Sequence, residues 1–521
     1  MGQSARVDRF LVTAAQMQAI EHSVFAAGMP VAALMEKVGG LLFDRLRARF
    51  PRRDYPTVGI LVGPGHNGGD GLVVARELLL AGYEVRVWMP SERAKPLTAD
   101  HARYLRWLGA TRASSYEELQ SCHWLIDGLF GFGLTRSLEG IWAETVDWAN
   151  RSGLPMVSID LPSGLETDTG ETLGTAVRAT ATYCLGLWKR GLLQDRALEA
   201  IGQAELIDFG LPLPAISDVL GEPPQLERIT GKWVRDRLPP QRWGTALHPP
   251  NPDTHKYTHG HLLLVCGSAR YSGAAILTAL GARPSGVGML TAVVPQSIQL
   301  LVRQWLPEAL VVPCAETEAG CMGELPELDL GRYTAIAVGP GMDADIDEFV
   351  RGLCDRTREL PLVVDADGLN AIARLGVSSL KGRLASTVLT PHLGEFRRLF
   401  PQIESADRIR AAQEAAKQSG TTVLLKGART AIGNPDGRAW LNPDSTPALA
   451  RGGSGDVLTG LIGGLLAQGI APEAAAGIGT WWHARAAIAL AERDGPSGVD
   501  PLHLAQNLGV FLQQQVTNTA S

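Results

Sequence analysis

The sequence is short of basic charge, paired cysteines and long apolar runs, and each shortage closes a class of function. Lys and Arg total 48 against 54 Asp and Glu, a net charge of −6. That gives no electrostatic reason to bind nucleic acid or an anionic membrane. The six cysteines, Cys122, Cys184, Cys266, Cys314, Cys321 and Cys354, form no CxxC pair. Their spacing argues against zinc and against a disulfide framework, and fits a reducing compartment. The N-terminus MGQSARVDRF has no apolar signal core, and Arg6 stands where myristoylation at Gly2 needs serine or threonine. The most apolar stretch, Val457–Ile470, is too short and glycine-rich to cross a bilayer. A cytoplasmic protein is expected.

What the sequence has is length and alternation. Its 521 residues imply more than one domain, and 59 glycines imply many tight turns. Short apolar runs predict strands at Thr57–Val62, Glu84–Trp88, Trp124–Ile126, Pro155–Ile159, His261–Val265, Ala335–Val338, Leu362–Val364, Thr387–Leu389 and Thr422–Leu425. Amphipathic segments such as Leu72–Ala81, closed by Gly82, lie between many of them. This is βαβ patterning and predicts an α/β fold with mostly parallel sheets. Between about Asp208 and His259 prolines crowd the chain (GLPLP, GEPPQ, LPPQR, HPPNPDTH), which predicts a connection with some helix around Ile229–Arg237. Domains are therefore expected at 1–225 and 226–521.

The most informative stretch is Gly452-Gly453-Ser454-Gly455-Asp456-Val457-Leu458-Thr459-Gly460. Small residues let backbone N–H groups approach a ligand, and the helix that follows adds positive charge at its start. Val457, Leu458, Leu461, Ile462, Leu465 and Leu466 share one helical face. Asp456 reads as a base beside a phosphate, or as a plain N-cap. Other predicted strands in this half end in Cys266-Gly267-Ser268, Gly339-Pro340-Gly341, Asp365-Ala366-Asp367, Thr390-Pro391-His392 and Lys426-Gly427-Ala428-Arg429-Thr430, the last before an Asn434–Gly437 hairpin turn. Such strand ends suit a nucleotide site. His392 is either structural or a substrate contact, Glu395 a possible helix cap, and Lys426 either a phosphate ligand or a surface residue.

In the first half, Gly63-Pro64-Gly65-His66-Asn67-Gly68-Gly69-Asp70 follows a strand and opens a helix. It satisfies GxGxxG, but only Glu92 lies near the next strand end, so the dinucleotide fingerprint is weak. Asp127 and Asp160 close two further strands, the latter leading into Leu161-Pro162-Ser163. Asn67, Asp127 and Ser163 are oxygen donors suited to a hard cation, while each aspartate can equally cap its own turn.

HNGGDG, DGLFGFGLTRS, IDLPSGLETDTG and LWKRGL, with Leu34-Met35-Glu36 ahead of them, resemble the NAD(P)H-hydrate epimerase domain from about Phe10 to Pro212. The resemblance implies a Rossmann-like three-layer α/β/α domain with potassium held by Asn67, Asp127 and Ser163. It implies that His66, Asn67, Gly68, Gly69 and Asp70 contact the hydrated nucleotide, together with Gly131, Phe132, Gly133, Leu134, Thr135, Arg136, Ser137 and Asp160. Asp160 is then the acid/base group, with Lys189 nearby. In one departure, Arg190 follows Lys189 where the family more often has proline.

KYTHGH, YSGAA, GPGM, DADGLN, TPHLGE, KGART and GGSGDVL resemble, in that order, the ADP-dependent NAD(P)H-hydrate dehydratase domain from about Ile229 to Val516. This implies a ribokinase-like α/β fold, with Lys426, Gly427, Ala428, Arg429, Thr430, Ser454 and Gly455 binding the nucleoside phosphate. Gly273, Ala274, Gly341, His392 and Asp456 would face the substrate, with Asp456 catalytic. Mg2+ is expected with ADP, and self-association by analogy. Pro284 occupies the family's usual arginine place, with Arg283 one residue earlier. The residues without the resemblance also fit a small-molecule kinase fused to a nucleotide-binding domain, or a nucleotide-sensing scaffold.

Overall fold

The computed structural model describes residues 7–238 and 253–517, with side chains to 512. Gly2, Arg6 and the proline-rich stretch 239–252 lie outside the described residues. The chain divides into two compact units, Met1–Gln225 and Leu226–Ser521.

The first unit is built on seven parallel strands in the order Thr111–Arg112, Glu84–Trp88, Thr57–Val62, Trp124–Gly128, Met156–Ile159, Ala181–Leu185 and Gln203–Ile207. Thr57–Val62 is buried along its whole length. Val58, Ile60 and Val62 enter one core with Leu72, Val74 and Leu42, while Leu61 enters another with Leu125, Val146 and Ala149. Helices thus cover both faces, which is why the strand reads as an unbroken apolar run. Leu11–Val12 pairs separately with Trp188–Lys189, Val12 standing opposite Lys189. That pairing brings the helix Ala14–Ala26 toward the Lys189 strand.

The second unit holds ten strands in the order Leu226–Arg228, Ala439–Asn442, Thr430–Gly433, Thr422–Leu425, Thr387–Leu389, Leu362–Val364, Ala335–Val338, His261–Val265, Met289–Pro295 and Leu310–Cys314. Thr430–Gly433 alone among them runs against both its neighbours, closing the predicted turn through Asn434 N to Arg438 O at 3.0 Å. The expected loose connection is more regular than its prolines indicate. It contains a helix at Leu213–Leu220, an edge strand at Leu226–Arg228 and a helix at Gly231–Arg235 that buries Trp233.

The helix Ser454–Ala467 departs from its predicted one-sided pattern, because it is buried on nearly every side. Its glycine face packs as closely as its leucine face. A Cβ on Gly460 would lie 1.8 Å from Thr278 O, and one on Gly281 would lie 2.1 Å from Val457 O. These two helices touch backbone to backbone. Gly460→Ala should therefore push Ser272–Ala282 away and cost about 2–3 kcal/mol. A lower midpoint for the second unit in denaturant unfolding of the full chain checks this; an unchanged midpoint contradicts it.

Candidate functional sites

In the first unit the carboxyl ends of the central strands gather an acidic cluster around one lysine. Asp160 follows Met156–Ile159 with φ +68°, a conformation disfavoured for any residue with a Cβ. Its Oδ1 accepts from Lys189 Nζ and from Leu185 N at 3.2 Å, and its Oδ2 from Phe132 N at 3.3 Å. Lys189 is wholly buried and also donates to Leu185 O at 2.5 Å. Burial opposes its charge, but attraction to Asp160 wins and raises its pKa. Burial, then repulsion from Asp160 and Glu21, pushes Asp70 well above the usual carboxylate range. Burial pushes Glu21, on Ala14–Ala26, up to about 7 against the pull of Lys189.

Asp127 sits beside this cluster at 0% exposure. It accepts from Leu129 N, Ser158 Oγ, Ser163 N and Ser163 Oγ at 2.6–3.2 Å. The turn-capping reading is thus correct for Asp127, and it is also what positions Ser163. Burial still raises its pKa against those four bonds. Asn67 Nδ2 is buried without a hydrogen-bond partner among the described residues. A Cβ on Gly131 would meet Asn67 Oδ1 and Asp160 Oδ2, each at 3.2 Å, so these two side chains border the same small space.

The helix His66–Leu80 begins at Gly65 with no side-chain cap. Gly63 and Gly68 are required by packing, since Cβ atoms there would lie 1.7 Å from Leu129 O and 2.0 Å from Gly63 O. Gly65 alone of the three meets open space. Lys95 Nζ is 3.5 Å from His66 Nδ1. Burial and Lys95 lower the His66 pKa. Phe132 packs under Lys189, its ring centre 5.6 Å from Nζ, whereas Thr135, Arg136 and Ser137 are exposed on the loop beyond it.

The second unit repeats the lysine–aspartate theme. Asp365, 1% exposed, accepts from Lys426 Nζ at 2.7 Å and from Thr459 Oγ1 at 2.6 Å. Lys426 is therefore not a loose surface residue. Burial opposes its charge, but Asp365 raises its pKa. A Cβ on Gly455 would lie 3.6 Å from both Asp365 Oδ2 and Lys426 Nζ, which puts the glycine-rich helix start against the pair. The cap of that helix is Gly453, at φ +96°, and no side chain caps it. Asp456 lies in the first turn instead of at the cap. Burial, then repulsion from Asp365, pushes Asp456 up to about 7.

Gly341 fits against the YSGAA turn, a Cβ there meeting Ala274 Cβ at 2.5 Å, while Gly273 faces open space. His392 caps Leu393–Leu399, its Nδ1 accepting from Gly394 N and Glu395 N at 2.9 and 3.3 Å. The ring proton then belongs on Nε2. Glu395 completes the capping box by accepting from His392 N at 2.8 Å, and burial pushes it up to about 7. Arg429 donates to Pro443 O, and Thr430 Oγ1 to Gly427 O at 3.0 Å, so these bonds shape the KGART loop. Arg283 pairs outward with Glu308. Sequence reasoning missed Glu21, Lys95 and Thr459, and did not single out Asp365 among strand-end aspartates.

Lys189→Met should leave Asp160 buried without its counter-charge and cost about 3–5 kcal/mol. Lys189→Met with Asp160→Asn should recover part of that loss. Chemical unfolding of the full-length single and double variants tests the coupling; strict additivity would contradict it.

The family profile described as NAD(P)H-hydrate dehydratase matches residues 262–509, and that described as YjeF-related protein N-terminus matches residues 31–191. A bifunctional NAD(P)H-hydrate repair enzyme of Synechocystis sp. is 50% identical over 96% of this chain and 94% of that protein. One from Thermosynechococcus vestitus is 50% identical over 96% of each. The crystal structure of an ADP/ATP-dependent NAD(P)H-hydrate dehydratase from Bacillus subtilis, co-crystallized with ATP/Mg2+, is 30% identical, with a TM-score of 0.47, over 56% of this chain and 98% of that one. With an acidic site in one unit and a glycine-rich helix start facing a lysine–aspartate pair in the other, the chain belongs to the family of bifunctional NAD(P)H-hydrate repair enzymes.

Proposed function

We propose that the chain restores damaged nicotinamide cofactors in two steps, one in each unit. The first unit interconverts the R and S forms of hydrated NADH and NADPH. The second dehydrates the S form, consuming ADP to give AMP and phosphate. The observation that carries this reading is Asp456, poised in the first turn of an uncapped helix whose start faces Lys426.

Hydroxide is a poor leaving group, so phosphorylation of the substrate hydroxyl makes it expellable. Asp456 takes the hydroxyl proton as the nucleotide's terminal phosphoryl group is transferred. The Gly452–Gly455 amides and Lys426 stabilise the negative charge on that group. The ring nitrogen lone pair then expels phosphate, and loss of a proton from the adjacent carbon restores the ring double bond. Mg2+ carried with the nucleotide supplies further charge neutralisation.

In the first unit the hydroxyl-bearing carbon adjoins the ring nitrogen, so its C–O bond can break and re-form on the opposite face. Asp160 exchanges the proton, with Lys189 as its fixed counter-charge. The oxygens of Asn67, Asp127 and Ser163 form a donor set that suits a potassium ion, with Asn67 Oδ1 bordering the same small space as Asp160 Oδ2, and the ion would add positive charge beside the acidic cluster.

Purified protein mixed with hydrated NADH epimers and ADP or ATP should regenerate the NADH absorbance band. Failure of the band to return with either nucleotide would remove the repair reading and leave the kinase alternative, whose product would be a stable phosphorylated hydroxyl compound. Asp456→Asn should abolish recovery. Asp160→Asn should give fast recovery of the initial S fraction alone. Because Asp456 is pushed up to about 7, acid protonates the base. The dehydration kcat/KM should fall about tenfold per pH unit below that value; a flat profile from pH 5.5 to 7.5 would contradict the base role.

A further inference from the structure

The first unit has a cavity of about 630 Å³ that the proposed chemistry does not use. It opens where Glu84–Trp88 and Thr111–Arg112 end, and its lining includes Trp88, Met89, Arg112, Ser115, Tyr116 and Glu117. This is the size of a small-molecule site. Two aromatic rings line it, Trp88 and Tyr116, which meet edge-on at 5.7 Å; Trp142, outside the lining, meets Trp88 edge-on at 6.1 Å. Arg112, which lines it, has Nη2 3.1 Å from Glu92 Oε1 and 3.4 Å from Met89 O; Glu92 itself lines the adjoining cavity, which Arg112 shares. Glu92 is 86% exposed and Arg112 48%. An ion pair that exposed contributes little to stability.

The cavity's place along the sheet gives it meaning. Asp160 follows Met156–Ile159, three strands from Glu84–Trp88, a separation of about 14 Å at the usual strand spacing. Between them, at the end of Thr57–Val62, lies the uncapped helix start at Gly65, with Lys95 beside His66. One edge thus presents in order an acid–lysine centre, a positive helix start with a lysine, and a cavity lined by two aromatic rings and an arginine. A dinucleotide presents its parts in the same order: nicotinamide riboside, pyrophosphate, adenosine. In parallel α/β sheets the pyrophosphate rests on the helix start, and the ribose 2′ position is read near the next strand end by an acid or an arginine.

We propose that this cavity binds the adenosine half of the hydrated dinucleotide, with Arg112 and Glu92 reading its ribose 2′ position. Arg112 pairs with the 2′-phosphate of hydrated NADPH. Glu92 accepts from the 2′-hydroxyl of hydrated NADH, and turns to solvent when a phosphate takes Arg112. Glu117, on the cavity wall, can accept from the adenine amino group. One acid and one arginine, paired to each other when empty, let a single site take both cofactors. The inference rests on the epimerase reading of this unit.

Epimerisation rates of wild type, Arg112→Ala and Ser115→Trp test it, with hydrated NADPH, hydrated NADH and hydrated nicotinamide mononucleotide as substrates. Thermal midpoints serve as the folding control. Arg112→Ala should raise KM about tenfold for hydrated NADPH, and less than about twofold for hydrated NADH, with kcat preserved. Ser115→Trp, which fills the cavity, should raise KM for both dinucleotides and not for the mononucleotide. Equal effects on the two dinucleotides in Arg112→Ala, or no effect in either folded variant, overturns the subsite while the epimerase stands. Wild type inactive on both dinucleotides would overturn the epimerase reading, and this inference with it.

Discussion

Each unit depends on a buried aspartate, delivered by the end of a parallel strand and neutralised by a lysine from later in the chain. Asp160 with Lys189 and Asp365 with Lys426 are the two cases. Taking both charges from water costs several kcal/mol per ion, and a bare pair would not recover it. Here each carboxylate accepts further bonds. Asp160 takes the Leu185 and Phe132 amides, and Asp365 takes the Thr459 hydroxyl. The pairs are therefore fixed points around which loops from separate strands are held. Phe132 belongs to the loop after Trp124–Gly128 and Thr459 to the glycine-rich helix, so each aspartate ties a segment remote in sequence to the sheet edge.

One lysine cannot neutralise several carboxylates, and that imbalance shapes the chemistry. In the first unit Asp70 and Glu21 share the neighbourhood of a lysine already committed to Asp160. In the second, Asp456 feels burial and Asp365 before it feels Lys426. The surplus acids are pushed toward holding a proton, Glu21 and Asp456 up to about 7. A group poised there can both take and return a proton, which an ordinary surface aspartate does poorly. In the second unit the pair and the poised acid thus stand side by side: Asp365 is tied to Lys426, and Asp456 beside them is displaced in pKa first by burial and then by Asp365.

Many central strands were legible because burial on both faces writes them as unbroken apolar runs; Thr57–Val62, His261–Val265 and Thr422–Leu425 fall where their residues predict, whereas Ala181–Leu185 and Met289–Pro295, also central and buried, were not predicted. Edge strands were not legible. Leu310–Cys314 contains Pro313, and Gln203–Ile207 alternates polar residues, because one side of each escapes the ladder or the core. Aspartates at strand ends were visible as candidates, but Asp127, Asp160 and Asp365 look alike in one dimension. Their partners, Ser163, Lys189 and Lys426, lie 29 to 61 residues away and distinguish them. Glu21 left no local signal at all, since the pairing of Val12 with Lys189 is what carries its helix toward the site.

The glycine-rich segments show why motif reading succeeds for a mixed reason. Gly63 and Gly68 are demanded by backbone packing, and so is Gly460, whereas Gly65 and Gly452 meet open space. The packing glycines are not incidental to binding. A helix can aim its positive end at a strand terminus only if its first turns lie close to the sheet, and a Cβ at those crossings would hold it away. Close approach and an open, uncapped start are two demands on one short stretch, and small residues meet both. Asp456 gains from each: the packed helix buries it enough to raise its pKa, and the open start leaves backbone amides facing the group its proton transfer would serve.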